Sequence, residues 1–375
     1  MVQPNGVAYE PLTREEMVRV IEGRGCARRI PVLLHQWTYP RAFTDPADRA
    51  AVEALLSAYP QDAQFIRWRN VEVYDAPDDD PQYRWMAAGK PETPAVQALD
   101  AQAPLADWDM LDAMLAAFPS AEYPGLFPHV PADDGRYRIA HWWFTLFERH
   151  WSLRGMCNAL TDYYTHPEEV HRLFRALTDF YLRIIERARD ECRADAIYVT
   201  DDLGTQSGPF FSPAIFEAFF APYYAELIDA AHRRGMHFWL HCCGDIEELL
   251  PRLIDLGLDV LHPIQKFAMD ETRVARRFGG QLAFWTGFDV QQTIPFGTVD
   301  DVRREVRHLF DTYYRPEGKL LFTLGNGITG DTPIPSLEAL FDEAFTYGTD
   351  IVKRDGRPVR REDTPIEPRR RDEDS

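Results

Sequence analysis

The chain has 375 residues, 45% hydrophobic and 13% aromatic, enough for one large barrel domain or two ordinary domains with a sizeable core. A formal net charge of -19 repels phosphate backbones and anionic lipid surfaces, which disfavours nucleic-acid and membrane partners. No apolar run approaches the ~20 residues that span a bilayer; the start, Met1-Val2-Gln3-Pro4, has no basic or apolar leader region, and five cysteines leave one unpaired in any full pairing, which together point to a reduced, cytoplasmic compartment.

In chain order, Thr13-Arg14-Glu15-Glu16 is a capping-box pattern and predicts a helix running to about Glu22. Residues 30–36 (IPVLLHQ) read as a buried strand, and residues 65–74 contain a second. Residues 75–136, rich in Pro, Asp and Ala, read as an excursion with one or two short helices around residues 109–117. Residues 137–144 read as strand, and residues 167–192 as a long helix with Leu173, Leu177, Phe180, Ile184 and Ile185 on one face.

From there strands and helices alternate. Strands are predicted at 196–200, 237–243, 260–264, 282–288 and 320–324, and helices at 213–234, 246–256, 269–278, 299–314 and 335–347. Such alternation implies parallel strands with crossover helices. The count, about eight strands, predicts a (β/α)8 TIM-type barrel with an N-terminal helical extension and inserted loops, a single α/β domain over residues 1–350. A doubly wound sheet is the alternative, weakened because no GxGxxG follows the first strand. The end of the chain, residues 351–375, alternates Arg with Asp and Glu and reads as a charged, disordered tail.

A barrel of this kind places its chemistry at the C-terminal ends of its strands. Those ends read His35, Gln36 and Trp37; Asp201, Asp202 and Gln206; His241 and Cys243; His262 and Gln265; Asp289 and Gln291; and Asn326. The most informative run is His241-Cys242-Cys243-Gly244-Asp245. Side chains two apart on a strand share a face, so His241 and Cys243 can meet at one point while Cys242 faces away. An imidazole and a thiolate at one point make half of a zinc site. The third ligand stays open between His262, Asp202, Asn326 and, if the turn rotates it inward, Cys242. Asp201 and Asp202 suit a general acid, a substrate clamp or a ligand, against the plainer alternative of capping a turn. For His241 and Cys243 the plainer alternatives are a packed histidine and an inert buried thiol.

The runs Asp201-Asp202-Leu203-Gly204-Thr205-Gln206, Ser212-Pro213, His241-Cys242-Cys243-Gly244-Asp245, Pro263-Ile264-Gln265, Gly287-Phe288-Asp289-Val290-Gln291 and Leu324-Gly325-Asn326-Gly327-Ile328 together resemble the uroporphyrinogen decarboxylase superfamily. The resemblance implies a distorted barrel with its active site at the C-terminal mouth. It divides into two chemistries. The decarboxylases use an N-terminal arginine pair and a histidine in the last-strand motif; here the segment after Arg29 lacks the pair, and Asn326 stands in the histidine's place. The zinc-dependent methyltransferases, which move methyl groups between corrinoid proteins and thiols, carry His-x-Cys where this chain has His241 and Cys243, and a further Cys near the last strand where it has Asn326.

On that footing the resemblance implies zinc on His241, Cys243 and His262; Asp201, Asp202 and Gln206 in catalysis; and His35, Trp37, Gln265, Asp289 and Asn326 against substrate. Its implied partners are a small-molecule substrate, a corrinoid as methyl donor or acceptor on a corrinoid protein, and a second copy in a homodimer. Two alternatives remain: a cofactor-free decarboxylase of a tetrapyrrole-like or smaller acid, with Asp201 or Asp202 central, and a non-catalytic barrel that binds a corrinoid or tetrapyrrole.

Overall fold

The computed structural model describes residues 8–34, 40–69, 76–81, 83–85, 103–142, 144–325 and 327–354. The positions predicted at His35, Trp37 and Asn326, and all of the tail beyond residue 354, lie outside them.

Seven parallel strands form one sheet in sequence order: β1 (Ala63–Arg67), β2 (Tyr137–Trp142), β3 (Ala196–Thr200), β4 (His237–His241), β5 (Val260–His262), β6 (Ala283–Gly287) and β7 (Leu320–Thr323). Strands β2, β3, β5, β6 and β7 are buried at every position, as expected for a parallel sheet covered on both faces. Alternation sorts their side chains. Ile139, Tyr198, Trp239, Trp285 and Leu321 pack together inside the barrel, while Trp142, Val199, Leu240, Phe284 and Phe322 join the larger core under the helices.

Among its described residues, 30–34, the eighth predicted strand makes a single bridge, Val32 to Phe322. Its backbone nonetheless completes the ring. Leu33 N–H donates to the Phe322 carbonyl (3.0 Å), Phe322 N–H to that of Pro31 (2.9 Å), and Asp62 N–H, just before β1, to that of Val32 (3.2 Å). Side chains take over backbone groups of this segment. The buried Asp62 carboxylate accepts from the N–H groups of Leu12 (2.8 Å) and Val32 (2.7 Å) and from both terminal nitrogens of Arg29 (2.6 and 2.7 Å).

The predicted capping box is present. Thr13 accepts from Glu16 N–H, and the Glu16 carboxylate accepts from Thr13 N–H, at the start of helix Arg14–Ile21. Met17, Val20 and Ile21 of this helix join the barrel's inner cluster, and Lys319 N–H, just before β7, donates to the Val20 carbonyl (2.8 Å). The helix therefore plugs the N-terminal end and leaves the C-terminal mouth for chemistry.

The helix Pro167–Cys192 has its predicted bounds. The helix predicted over 213–234 is interrupted by a π turn at Phe216–Phe220, where Ala221 N–H reaches back five residues to the Phe216 carbonyl; the next residue, Pro222, has no N–H to continue the α ladder. Among the described residues no helix is long and apolar enough to cross a membrane.

Candidate active site at the barrel mouth

Register aligns Thr200, His241 and His262 across the C-terminal ends of β3, β4 and β5. The next residues on β3 and β4 supply the rest. His241 Nε2 lies 3.4 Å from Cys243 Sγ and 3.5 Å from Asp202 Oδ1, and one atom from each of these three side chains falls within 4.8 Å of the others. In a tetrahedral zinc site, with metal–ligand bonds of about 2.0–2.3 Å, neighbouring ligand atoms stand about 3.4–3.6 Å apart. The two separations from His241 Nε2 match that edge. One nitrogen, one sulfur and one oxygen donor could hold a metal ion, and three protein ligands would leave a fourth position open.

Each donor is held in place. His241 is buried, and burial pushes its imidazolium form down, so the ring is neutral and has a lone pair to offer. Its Nδ1 meets His262 Nδ1 at 2.7 Å. For Nε2 to act as a ligand, Nδ1 must carry the proton and donate it to His262. His262 therefore stands behind His241 and aims it, and the third side chain that converges is Asp202. The Tyr198 hydroxyl, 3.4 Å from His262 Nδ1, closes that side.

Asp202 Oδ1 also accepts from Cys243 N–H (2.7 Å), and Gln265 Oε1 accepts from Gly244 N–H (2.7 Å), so two side chains brace the turn that presents the thiol. Backbone supplies the third brace. Asp245 N–H donates to the Thr205 carbonyl (2.7 Å), and the β3 and β4 turns pack face to face at Gly204 and Gly244. A Cβ on Gly244, whose φ is +83°, would lie 2.4 Å from the Gly204 carbonyl carbon. Gly244→Ala is therefore expected to cost about 2 kcal/mol or more, through strain and backbone displacement. A urea-denaturation midpoint checks it; an unchanged midpoint would show that the two turns part freely.

Cys242 does face away. It is buried in the helix-side core, where its sulfur accepts from Leu203 N–H (3.1 Å). Asp201 also lies outside the converging group. Its fully buried carboxylate accepts from the N–H groups of Leu146, Phe147 and Glu148 (3.2, 3.1 and 2.8 Å) and from the Tyr224 hydroxyl (2.7 Å). It thus anchors the first turn of helix Phe147–Arg154. Asp289 does similar work, accepting from the N–H groups of Gln291, Gln292 and Thr293 at the start of helix Thr293–Phe296. Gln206 is exposed on the short turn that Gly204 and Pro209 close.

Two residues near the site were not anticipated. Glu148, nearly buried, accepts from the Thr200 hydroxyl (2.6 Å), and burial with Asp202 and Asp201 nearby pushes its carboxyl well above the usual range. His141, on the inward face of β2, is pushed down to about 3 by burial and by Arg67, and stays neutral. The inward alternation Tyr137, Ile139, His141 was the signal for the second; Glu148 reaches the site from a helix whose anchor is distant in sequence.

A family model described as uroporphyrinogen decarboxylase (URO-D) matches residues 144–347. A methylated-thiol–coenzyme M methyltransferase from Methanosarcina mazei is 24% identical over 225 residues; the match spans 58% of this chain and only 53% of that protein. Among solved structures, a methyltransferase from Methanosarcina mazei superposes with a TM-score of 0.57 at 15% identity, covering 89% of this chain and 98% of its own, a likeness of fold.

Proposed function

Because this chain belongs to the uroporphyrinogen decarboxylase family, with its donors grouped at the barrel mouth, we propose that it is a zinc-dependent methyltransferase moving a methyl group between a corrinoid and a thiol. The observation that carries the reading is the convergence of Asp202, His241 and Cys243. A decarboxylase without a cofactor has no use for a thiol braced against a neutral imidazole and a carboxylate. When bound, zinc would supply a Lewis acid that favours a substrate thiol as its thiolate at neutral pH.

The chain's own residues do the rest. Burial keeps His241 neutral, His262 aims it, and Gln265 with the Gly204–Gly244 contact fixes the Cys243 turn. Asp202, with its side chain 38% exposed, sits on the solvent side, where substrate enters. The reaction is a displacement. A sulfur lone pair forms the S–CH3 bond, the carbon–cobalt bond breaks with its pair left on cobalt, and the thiol proton goes to solvent. A corrinoid protein is the partner this reading requires.

The test uses methylcobalamin and a panel of short thiols with the zinc-loaded protein, following loss of the methyl–cobalt absorbance. Thioether formation is expected, at least about 100-fold slower in Cys243→Ser. No methyl transfer to any thiol, with carbon dioxide released from a carboxylated substrate, would replace this reading by decarboxylation.

A further inference from the structure

Buried carboxyl groups in this fold meet a base or the start of a helix. Asp62, Asp162, Glu247, Glu305 and Glu343 each lie on an arginine or lysine. Asp201 and Asp289 accept from backbone N–H groups where helices begin. Glu148 has neither kind of partner. It is 9% exposed, and among the described residues the Thr200 hydroxyl alone donates to its carboxyl, at Oε2 (2.6 Å). Burying such a group costs stability that an apolar side chain of the same size would not. A carboxyl kept at that cost beside a cluster of donors points to work other than folding.

Its position says what that work is. Ala196 and Tyr198 of β3 pack into the inner cluster, so alternation turns Thr200 inward too, level with His241 in the strand register. Phe144 N–H donates to Thr200 Oγ1 (3.1 Å), which leaves the hydroxyl proton for Glu148 and fixes the carboxyl at the inner end of β3. The surrounding charges agree. Burial pushes the Glu148 carboxyl up; among charged groups Asp202 adds most to that and Asp201 next, while Arg149 acts in the opposite sense and less. Burial likewise raises the Tyr198 hydroxyl, which borders His262, and Cys243, Asp202 and Glu148 add to it. Glu148 therefore faces the same space as Asp202 and Cys243.

We propose that Glu148 is a catalytic acid–base residue, the group through which the substrate thiol exchanges its proton with solvent. In the direction of thiol methylation the S–H bond breaks, its electron pair stays on sulfur, and the proton passes to a Glu148 oxygen and then to water. In the reverse direction a thioether gives up its methyl group, its sulfur leaves with the bonding pair, and Glu148 returns a proton to it. Thr200 holds Oε2 and so keeps the carboxyl in place, while Oε1 has no donor among the described residues. A general acid–base is chosen by reach first and by acidity second, and a carboxyl whose charge is opposed by burial takes up a proton more readily than a free one. The inference rests on the methyl-transfer reading.

The experiment is calorimetric titration of the zinc-loaded full chain, beside Glu148→Gln, with 2-mercaptoethanol in buffers of different ionisation enthalpy, which counts the protons released per thiol bound. Wild type is expected to release less than about half a proton, because Glu148 keeps it, and Glu148→Gln about one. Methyl transfer from methylcobalamin gives a second readout. Glu148→Gln should be at least about 10-fold slower with 2-mercaptoethanol and within about 3-fold of wild type with 2,2,2-trifluoroethanethiol, which is acidic enough to arrive as thiolate. Glutamine keeps an oxygen for Thr200, so zinc content and the ligand-free melting temperature should match wild type. Equal proton counts, or equal slowing with both thiols, would overturn the role of Glu148 and leave the metal site and methyl transfer standing. Loss of zinc or a marked loss of stability in Glu148→Gln would assign the residue to the fold instead. A wild-type chain that binds zinc but no thiol would overturn the methyl-transfer reading, and this inference with it.

Discussion

Asp201→Ala is expected to lower the stability of the folded chain by about 3 to 5 kcal/mol, while Asp202→Ala changes it by less than about 1 kcal/mol. The two aspartates are adjacent, and alternation sends them to opposite sides. Asp201 satisfies three backbone N–H groups and the Tyr224 hydroxyl in a dry environment. Alanine would leave those donors buried without an acceptor and would free the helix that carries Glu148 and Arg149. Asp202 is partly exposed, and its hydrogen bond to Cys243 N–H can pass to water.

The pH dependence of Asp201 has a definite sign. Burial pushes its carboxyl up to about 6, against about 3.9 in an unfolded chain. The folded state thus holds the proton more tightly, so this group's contribution is greatest below about pH 4 and declines by about 1.4 kcal/mol per pH unit until about pH 6. The gap between wild type and Asp201→Ala should accordingly narrow as pH rises through that window. Urea-denaturation midpoints at several pH values check both statements. An Asp201→Ala protein as stable as wild type would remove the anchor from the account.

The second large effect concerns the metal. His241→Ala is expected to abolish metal binding, because it removes the central donor of the three. His262→Ala should weaken it about 10- to 100-fold without abolishing it, the usual effect of losing a partner that orients a ligand. A ring that only orients and one that binds are separated by metal titration. If His262→Ala lost all metal while His241→Ala kept it, the roles assigned to the two rings would have to be exchanged.

Much of this arrangement was legible locally. The capping box at Thr13 and Glu16, the long helix Pro167–Cys192 and the regular alternation from β3 to β7 each follow from nearby residues. So does the geometry that sends His241 and Cys243 to one side and Cys242 to the other. The helix Pro46–Ala58 went unrecognised although Asp45 and Pro46 mark its start with a cap and a first-turn proline.

Helix Phe147–Arg154 left no comparable mark, because its anchor, Asp201, is more than fifty residues away. For the same reason sequence could not assign different work to Asp201 and Asp202, nor choose between Asp202 and His262 beside the histidine and thiol. That choice depends on register between β4 and β5, which puts His262 directly behind His241. Residues 30–36 read as a full strand because their apolar pattern is that of one; among those described, 30–34, the buried Asp62 carboxylate captures the Val32 N–H in place of a strand partner.

The central claim is that Asp202, His241 and Cys243 form a metal site that prepares a thiol. Its most direct test is elemental analysis of the protein purified without an affinity metal, beside His241→Ala and Cys243→Ser. The account predicts about one zinc per chain in wild type and none in either variant. Wild-type protein that takes up no zinc even when titrated with it, or variants that retain full stoichiometric zinc, would contradict it.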